Sequence, residues 1–169
     1  MSARPVRIGN ASGFYGDRLA AMHALVDGGE VDVITGDYLA ELTMLILWKA
    51  RQKNPQTGYA RTFLTQFDQV ASDCAQRGIK IVVNAGGLNP AGMADEVRKI
   101  AAAAGIELQV AHVEGGRSDA SPGPAPGTGN SVQTPRYRRG AGRGRHHPPV
   151  SANAYLGGWG HRRCPETRC

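Results

Sequence analysis

Ile81-Val82-Val83-Asn84-Ala85-Gly86-Gly87-Leu88-Asn89-Pro90 is the stretch that decides the fold. Three apolar residues in a row suit a strand covered on both faces. Gly86-Gly87 permits a sharp turn and a close approach of backbone to a ligand. Asn89 suits a helix N-cap and Pro90 the first helical position. The stretch reads as strand, turn and helix, with two asparagine side chains and several backbone N–H groups gathered at one strand end. In a parallel sheet that end is where ligands bind.

The same kind of junction recurs upstream. Val6 to Gly9 reads as a first strand running into a glycine-rich loop, Asn10-Ala11-Ser12-Gly13-Phe14-Tyr15-Gly16-Asp17. Leu19, Met22, Leu25 and Val26 then follow helical spacing, and Gly28-Gly29 ends that helix. Val31 to Ile34 reads as a second strand that ends at Thr35-Gly36-Asp37-Tyr38. A helix from Leu39 to Lys53 is apolar nearly all round, which predicts packing on more than one side. Tyr59 to Arg77 is a third helix with Phe63, Leu64, Phe67, Val70, Ala71 and Cys74 on one face, stopped by Gly78.

Downstream of the deciding stretch, Pro90 to Ala104 is a fourth helix, stopped by Gly105, and Glu107 to Val113 alternates as a fourth strand. Strand–helix repetition with short connections predicts an α/β fold over residues 5–114, a mostly parallel sheet with flanking helices in Rossmann-like layers.

Charge divides the chain at the same place. Residues 1–114 carry 11 Lys/Arg and 12 Asp/Glu, whereas residues 115–169 carry 9 Arg and 2 acids, so the overall net charge of +6 belongs to the tail. Residues 115–149 hold 8 Gly, 6 Pro and 6 Arg, with Val132 as the one aliphatic residue larger than alanine. Such a composition cannot bury a core and predicts disorder. Residues 150–160 are protein-like again, and 161–169 are not. The Arg-rich tail suits non-specific contact with nucleic acid, but Tyr137 alone could stack within its basic run, so no specific recognition is expected.

Cys74, Cys164 and Cys169 do not make a disulfide framework, and Cys74 falls on a helical face as a plain buried thiol. Leu39 to Trp48 is apolar but too short to span a bilayer, and Glu41 interrupts it. With no signal-peptide pattern at the N-terminus, a cytoplasmic setting away from membranes is expected. His146, His147, His161, Cys164 and Cys169 fit no standard zinc spacing, so no metal site is expected.

The predicted strand ends would bring together Asn10 and Asp17, Asp37 and Glu41, Asn84 and Asn89, and His112 and Glu114. Asp37, Glu41 and His112 are the candidates for general acid–base work. Glu41 is placed with Asp37 by an i, i+4 helical relation. Asn10, Gly13, Asp17, Asn84, Gly86, Gly87, Asn89 and Glu114 are the candidates for holding a carbonyl or a phosphate-bearing group. Bland roles compete: Asp17 and Asp37 as helix caps, Gly86-Gly87 as turn chemistry alone, His112 as structural. The glycine spacing at Gly9, Gly13 and Gly16 is not a dinucleotide fingerprint.

Three runs resemble the N-terminal part of the acyclic terpene utilisation family: Gly9 to Arg18, Thr35 to Met44, and Asn84 to Pro90. The run Ser151 to Gly160 resembles that family too, which adds Asn153 to the substrate-binding candidates. The resemblance implies an N-terminal piece of a cytoplasmic catabolic protein acting on terpenoid or related acyl compounds. A small-molecule substrate such as an acyl-CoA or a terpene-derived acid is then expected, with no cofactor and no reaction assigned. Family members continue for several hundred residues. Residues from about 116 to 149 and from 161 onward depart from the family pattern, which suits out-of-frame translation: codons compatible with a one-base shift would restore the pattern at Gly116 to Asp119 and at His161 to Cys169. Two alternatives stand beside this reading: an inactive fragment of a longer enzyme, and a small basic protein that binds nucleic acid through its tail.

Overall fold

The computed structural model describes residues 4–113, together with the backbone of two short strands at residues 117–118 and 152–153. The expected disorder of residues 115–149 and the character of residues 161–169 lie outside the described residues. In chain order the elements are β1 (Ile8–Asn10), α1 (Ala21–Gly28), β2 (Val33–Gly36), α2 (Glu41–Lys53), α3 (Arg61–Arg77), β3 (Lys80–Val83), α4 (Pro90–Ala103), β4 (Arg117–Ser118) and β5 (Ala152–Asn153).

The fold is α/β. β1, β2 and β3 form a parallel sheet in that order, with Gly9, Ile34 and Ile81 in one row and Gly36 opposite Val83. Connections between neighbouring parallel strands are right-handed in nearly all proteins. A sheet that grows in one direction therefore puts its crossover helices on one face. Met22 and Val26 of α1, Phe63, Phe67, Val70, Ala71 and Cys74 of α3, and Val97 of α4 accordingly share one core cluster with Ile34. Ile81 and Val83 pack against the same cluster. The glycine at position 9 leaves room for Leu25, whose methyl group would stand 3.0 Å from an added Cβ.

The alternate row faces the other way. Ile8 stands opposite Val33 and Lys80, and Asn10 opposite Thr35 and Val82. Ile34 on the inner row is fully buried, whereas Ile8 is 65% and Val82 43% exposed. Neither core cluster reaches Ile8, Val33 or Val82. The outer face of the sheet is therefore uncovered among the described residues.

Helix ends follow local chemistry. Asn89 caps α4 by accepting the Gly92 N–H at 3.0 Å, with Pro90 at the first position. Gly78 ends α3 at φ 65°, a left-handed conformation that glycine adopts without penalty.

Two expectations are corrected. Glu107 to Val113 joins no strand ladder among the described residues. Instead Ile106 and Val110 pack on the core, and the Val110 carbonyl accepts Arg98 Nη2 at 2.8 Å. An alternating pattern reports two different sides, not a hydrogen-bonding partner, and here side packing on α4 satisfies it. The helix α2 is packed on one side: Met44 and Leu47 are buried with Leu88, but Leu42, Leu45 and Ile46 are exposed. No helix among the described residues is long and apolar enough to cross a membrane.

Candidate functional site

The ends of β1, β2 and β3 supply Asn10, Asp37 and Asn84, and short loops tie them together. Asn84 is the keystone. Its Oδ1 accepts the Tyr38 N–H at 2.8 Å and its Nδ2 donates to Asp37 Oδ1 at 2.6 Å. Asp37 Oδ1 also accepts the Leu39 N–H at 3.2 Å. Both donors fall on one carboxylate oxygen. Among the described residues, Oδ2 accepts no hydrogen bond. Asp37 and Asn84 are exposed, so the pair is solvent-facing and oriented.

Asn10 joins from the neighbouring strand. Its Nδ2 donates to the Ser12 carbonyl at 3.0 Å, and its Oδ1 accepts Thr35 Oγ1 at 3.2 Å. The Ser12 carbonyl also accepts the Asp37 N–H at 2.8 Å. Ser12 thus bridges the β1 and β2 ends through its backbone. Sequence reasoning missed Ser12, Thr35 and Tyr38. For Thr35 a signal was present: strand alternation puts it on the face of Asn10 in the next strand, provided the register is known.

Beneath the surface, Tyr38 is buried and donates its hydroxyl to Gln66 Oε1, while Gln66 Nε2 donates to the Arg18 carbonyl at 3.1 Å. Burial pushes the Tyr38 phenol up to about 12, so it stays a donor at physiological pH. Its ring packs edge-on against Phe63, with centroids 5.8 Å apart. A side chain at Gly36 would place a Cβ 2.6 Å from that ring, which explains the glycine there.

The loop after β1 is closed on itself. Asp17 Oδ2 accepts the Gly13 N–H at 2.9 Å and Oδ1 accepts the Arg18 N–H at 2.7 Å. The Gly13 and Arg18 amides hold the Asp17 carboxyl below its ordinary range. Asp17 caps no helix; α1 starts at Ala21 with no side-chain cap. An incoming phosphate would have to displace this carboxylate to reach the Gly13 amide.

The remaining candidates have these places. Gly86 lies 2.8 Å from Pro90 Cβ by its ideal Cβ, and Gly87 sits at φ 52° against Leu47 and the Gly58 carbonyl. Tight packing and backbone conformation account for both. Asn89 spends its amide on the Gln56 and Thr57 carbonyls at 3.1 and 3.3 Å, besides capping α4. Asp37 does not cap α2, whose N-cap is Ala40 in extended conformation. Residues 37–40 are not helical, so the i, i+4 relation between Asp37 and Glu41 does not exist. Glu41 opens α2, and its side chain lies outside the described residues. His112 is exposed on the segment that joins no ladder, so the strand pairing expected to align it with the other ends is not formed. Glu114 and the Asn153 side chain lie outside the described residues. No group of three or more His, Cys, Asp or Glu suited to a metal ion occurs among the described residues.

The junctions that carry this geometry are the ones whose sequence is most distinctive, and a family model bears on them directly. The model for acyclic terpene utilisation family protein AtuA matches residues 6–165. The chain belongs to the acyclic terpene utilisation family. That match spans all three strand-end junctions and continues past the described domain. No curated protein and no solved structure matches the chain.

Proposed function

We propose that this terpene-utilisation protein holds a terpenoid or related acyl compound at the carboxyl edge of its sheet, with Asp37 as the acid–base group. One observation carries the reading: the Asn84 carboxamide grips Asp37 and the Tyr38 backbone together, joining the β2 and β3 ends. A carboxylate held by two donors on one oxygen and, among the described residues, unengaged on the other is oriented for proton transfer to a substrate. Substrate class comes from family membership; a catabolic role in the cytoplasm accords with it. The loop at Gly13 favours recognition of a hydroxyl over a phosphate, because Asp17 already occupies its amide and a hydroxyl can donate to that carboxylate. Asn10 and Thr35 extend the polar row.

Titration of the full chain with an acyclic terpenoid acid and with its CoA thioester tests the reading, alongside product analysis. Asp37→Asn is expected to bind either ligand and to lower turnover by about 10²–10⁴-fold, the usual share of general acid–base catalysis. Asn84→Ala is expected to weaken binding as well. Full activity in both folded variants would overturn the assignment.

A second reading, an inactive fragment of a longer enzyme, draws support from the outer sheet face that the described residues leave uncovered. It predicts broad, non-cooperative thermal unfolding of the full chain, and a sharp transition with matching van't Hoff and calorimetric enthalpies would count against it.

A further inference from the structure

The helix α2 is mounted on the edge that carries Asp37 and Asn84. Its buried side, Met44 and Leu47, packs on Leu88 in the loop that follows Asn84. Arg51 Nη1 donates to the Leu88 carbonyl at 3.1 Å, and a Cβ at Gly87 would meet Leu47 Cδ1 at 2.5 Å. The helix begins at Glu41, just after the loop in which Asp37 Oδ1 accepts the Leu39 N–H. The chain before α2 and the loop beneath it are thus the β2 and β3 ends that Asn84 ties together.

The opposite side of α2 has two zones. At the helical period, Leu42, Leu45, Ile46, Lys49 and Lys53 fall on one stripe about 100° wide. Leu42, Leu45 and Ile46 are 68%, 37% and 40% exposed, at the end of the helix that adjoins Asp37. Lys49 and Lys53 continue the stripe, exposed and without an ion-pair partner among the described residues. An apolar zone leading from Asp37 to two ammonium groups is complementary to an amphipathic anion, a hydrocarbon chain that ends in a carboxylate or phosphate. From Leu42 to Lys49 the helix rises about 10 Å, comparable with the extended chain of a monoterpenoid acid. A membrane surface shares this chemistry, but a helix that lies in a bilayer interface buries a broad apolar face, and α2 offers little more than one turn. Charge sets the direction of the ligand: Asp37 repels its anionic end, and Lys49 and Lys53 attract it.

We propose that the exposed face of α2 binds the acyl ligand: Leu42, Leu45 and Ile46 take its hydrocarbon chain, Lys49 and Lys53 take its anionic end, and the opposite end of the chain lies toward Asp37. The direction of the ligand rests on the reading of Asp37 as the acid–base group; the binding face itself does not.

Calorimetric titration of the full chain with citronellic acid and with citronellol, the matching alcohol, tests the two zones separately. All the substituted side chains are exposed and glutamine keeps helix propensity, so the variants are expected to fold, which circular dichroism checks. Leu42→Gln with Ile46→Gln is expected to weaken both ligands by about tenfold. Lys49→Glu with Lys53→Glu is expected to weaken the acid by about tenfold and to leave the alcohol unchanged. No binding of the acid, or equal binding by parent and both folded variants, overturns the proposal. So does sedimentation with phosphatidylglycerol vesicles that both variants lose while the free acid does not bind, which assigns the face to a lipid surface. Lost turnover in Asp37→Asn beside intact binding in the α2 variants strikes this proposal and spares the acid–base reading. Weakened binding in the α2 variants beside full turnover in Asp37→Asn spares the binding face and strikes that reading.

Discussion

Tyr38 and Gln66, 28 residues apart, meet in the core through a hydroxyl-to-carbonyl hydrogen bond. The pair fastens the loop after β2 to the middle of α3, directly below the exposed Asp37–Asn84 pair. Site geometry therefore rests on a buried polar contact. Tyr38→Phe leaves the Gln66 carbonyl buried without that donor and is expected to cost about 1–3 kcal/mol in urea unfolding. Tyr38→Phe with Gln66→Leu is expected to cost less than the two single changes added together, because an apolar pair leaves nothing unsatisfied there. Strict additivity across the double-mutant cycle would show that the hydrogen bond does not couple them.

Asn89 serves two structures at once, the α4 cap and the loop at Gln56 and Thr57. Loss of a cap alone costs about 1 kcal/mol, and loss of the loop anchor adds to it. Asn89→Ala is therefore expected to destabilise by about 2 kcal/mol, whereas Asn89→Asp keeps the cap and loses only the amide donor. Chemical denaturation of both variants separates the two contributions: equal losses would mean the cap does not matter.

Gly36 lies under the Tyr38 ring, where a methyl group would sit 2.6 Å from Cε2. Tyr38 cannot yield easily, since its hydroxyl is engaged and its ring is packed on Phe63. Gly36→Ala is expected to cost about 1–3 kcal/mol as overpacking. The companion Gly36→Ala, Tyr38→Phe should not rescue it, because the clash is with the ring and not the hydroxyl. Rescue by removal of the hydroxyl alone would place the strain elsewhere.

At the opposite end of the strands, Asp32 accepts hydrogen bonds from Arg4, from the Arg7 N–H and from the Arg7 side chain. Arg4 above all holds the carboxyl well below the ordinary carboxylate range. A folded-state value below the unfolded one means that the native state binds fewer protons. The stability from this cluster is therefore present above about pH 4 and is lost as pH falls through the depressed folded value. Asp32→Asn should lower the melting temperature at neutral pH, with the gap to the parent closing in acid. A gap independent of pH would mean that the ionised form contributes nothing.

The deciding stretch, Ile81 to Pro90, was legible because its chemistry is local. A strand of β-branched residues, a glycine turn that nothing larger fits, and an asparagine cap with proline behind it need no distant partner. The same holds for Gly78 at the end of α3 and for the apolar spacing of Phe63, Phe67, Val70 and Cys74, all of which bury. Family membership likewise followed from contiguous runs of residues.

What the tertiary structure decided is whatever depends on pairing between distant segments. Alternation in Glu107 to Val113 did not make a strand, because a ladder needs a neighbour and the packing on α4 took its place. Proximity in sequence suggested that Asp37 and Glu41 share a helical face, but the helix starts only at Glu41. The amide of Asn84 could have faced any ligand; register between β2 and β3 turned it onto Asp37 and Tyr38. Side-chain identity specifies which hydrogen bonds are possible, and only the strand order and register select which of them form.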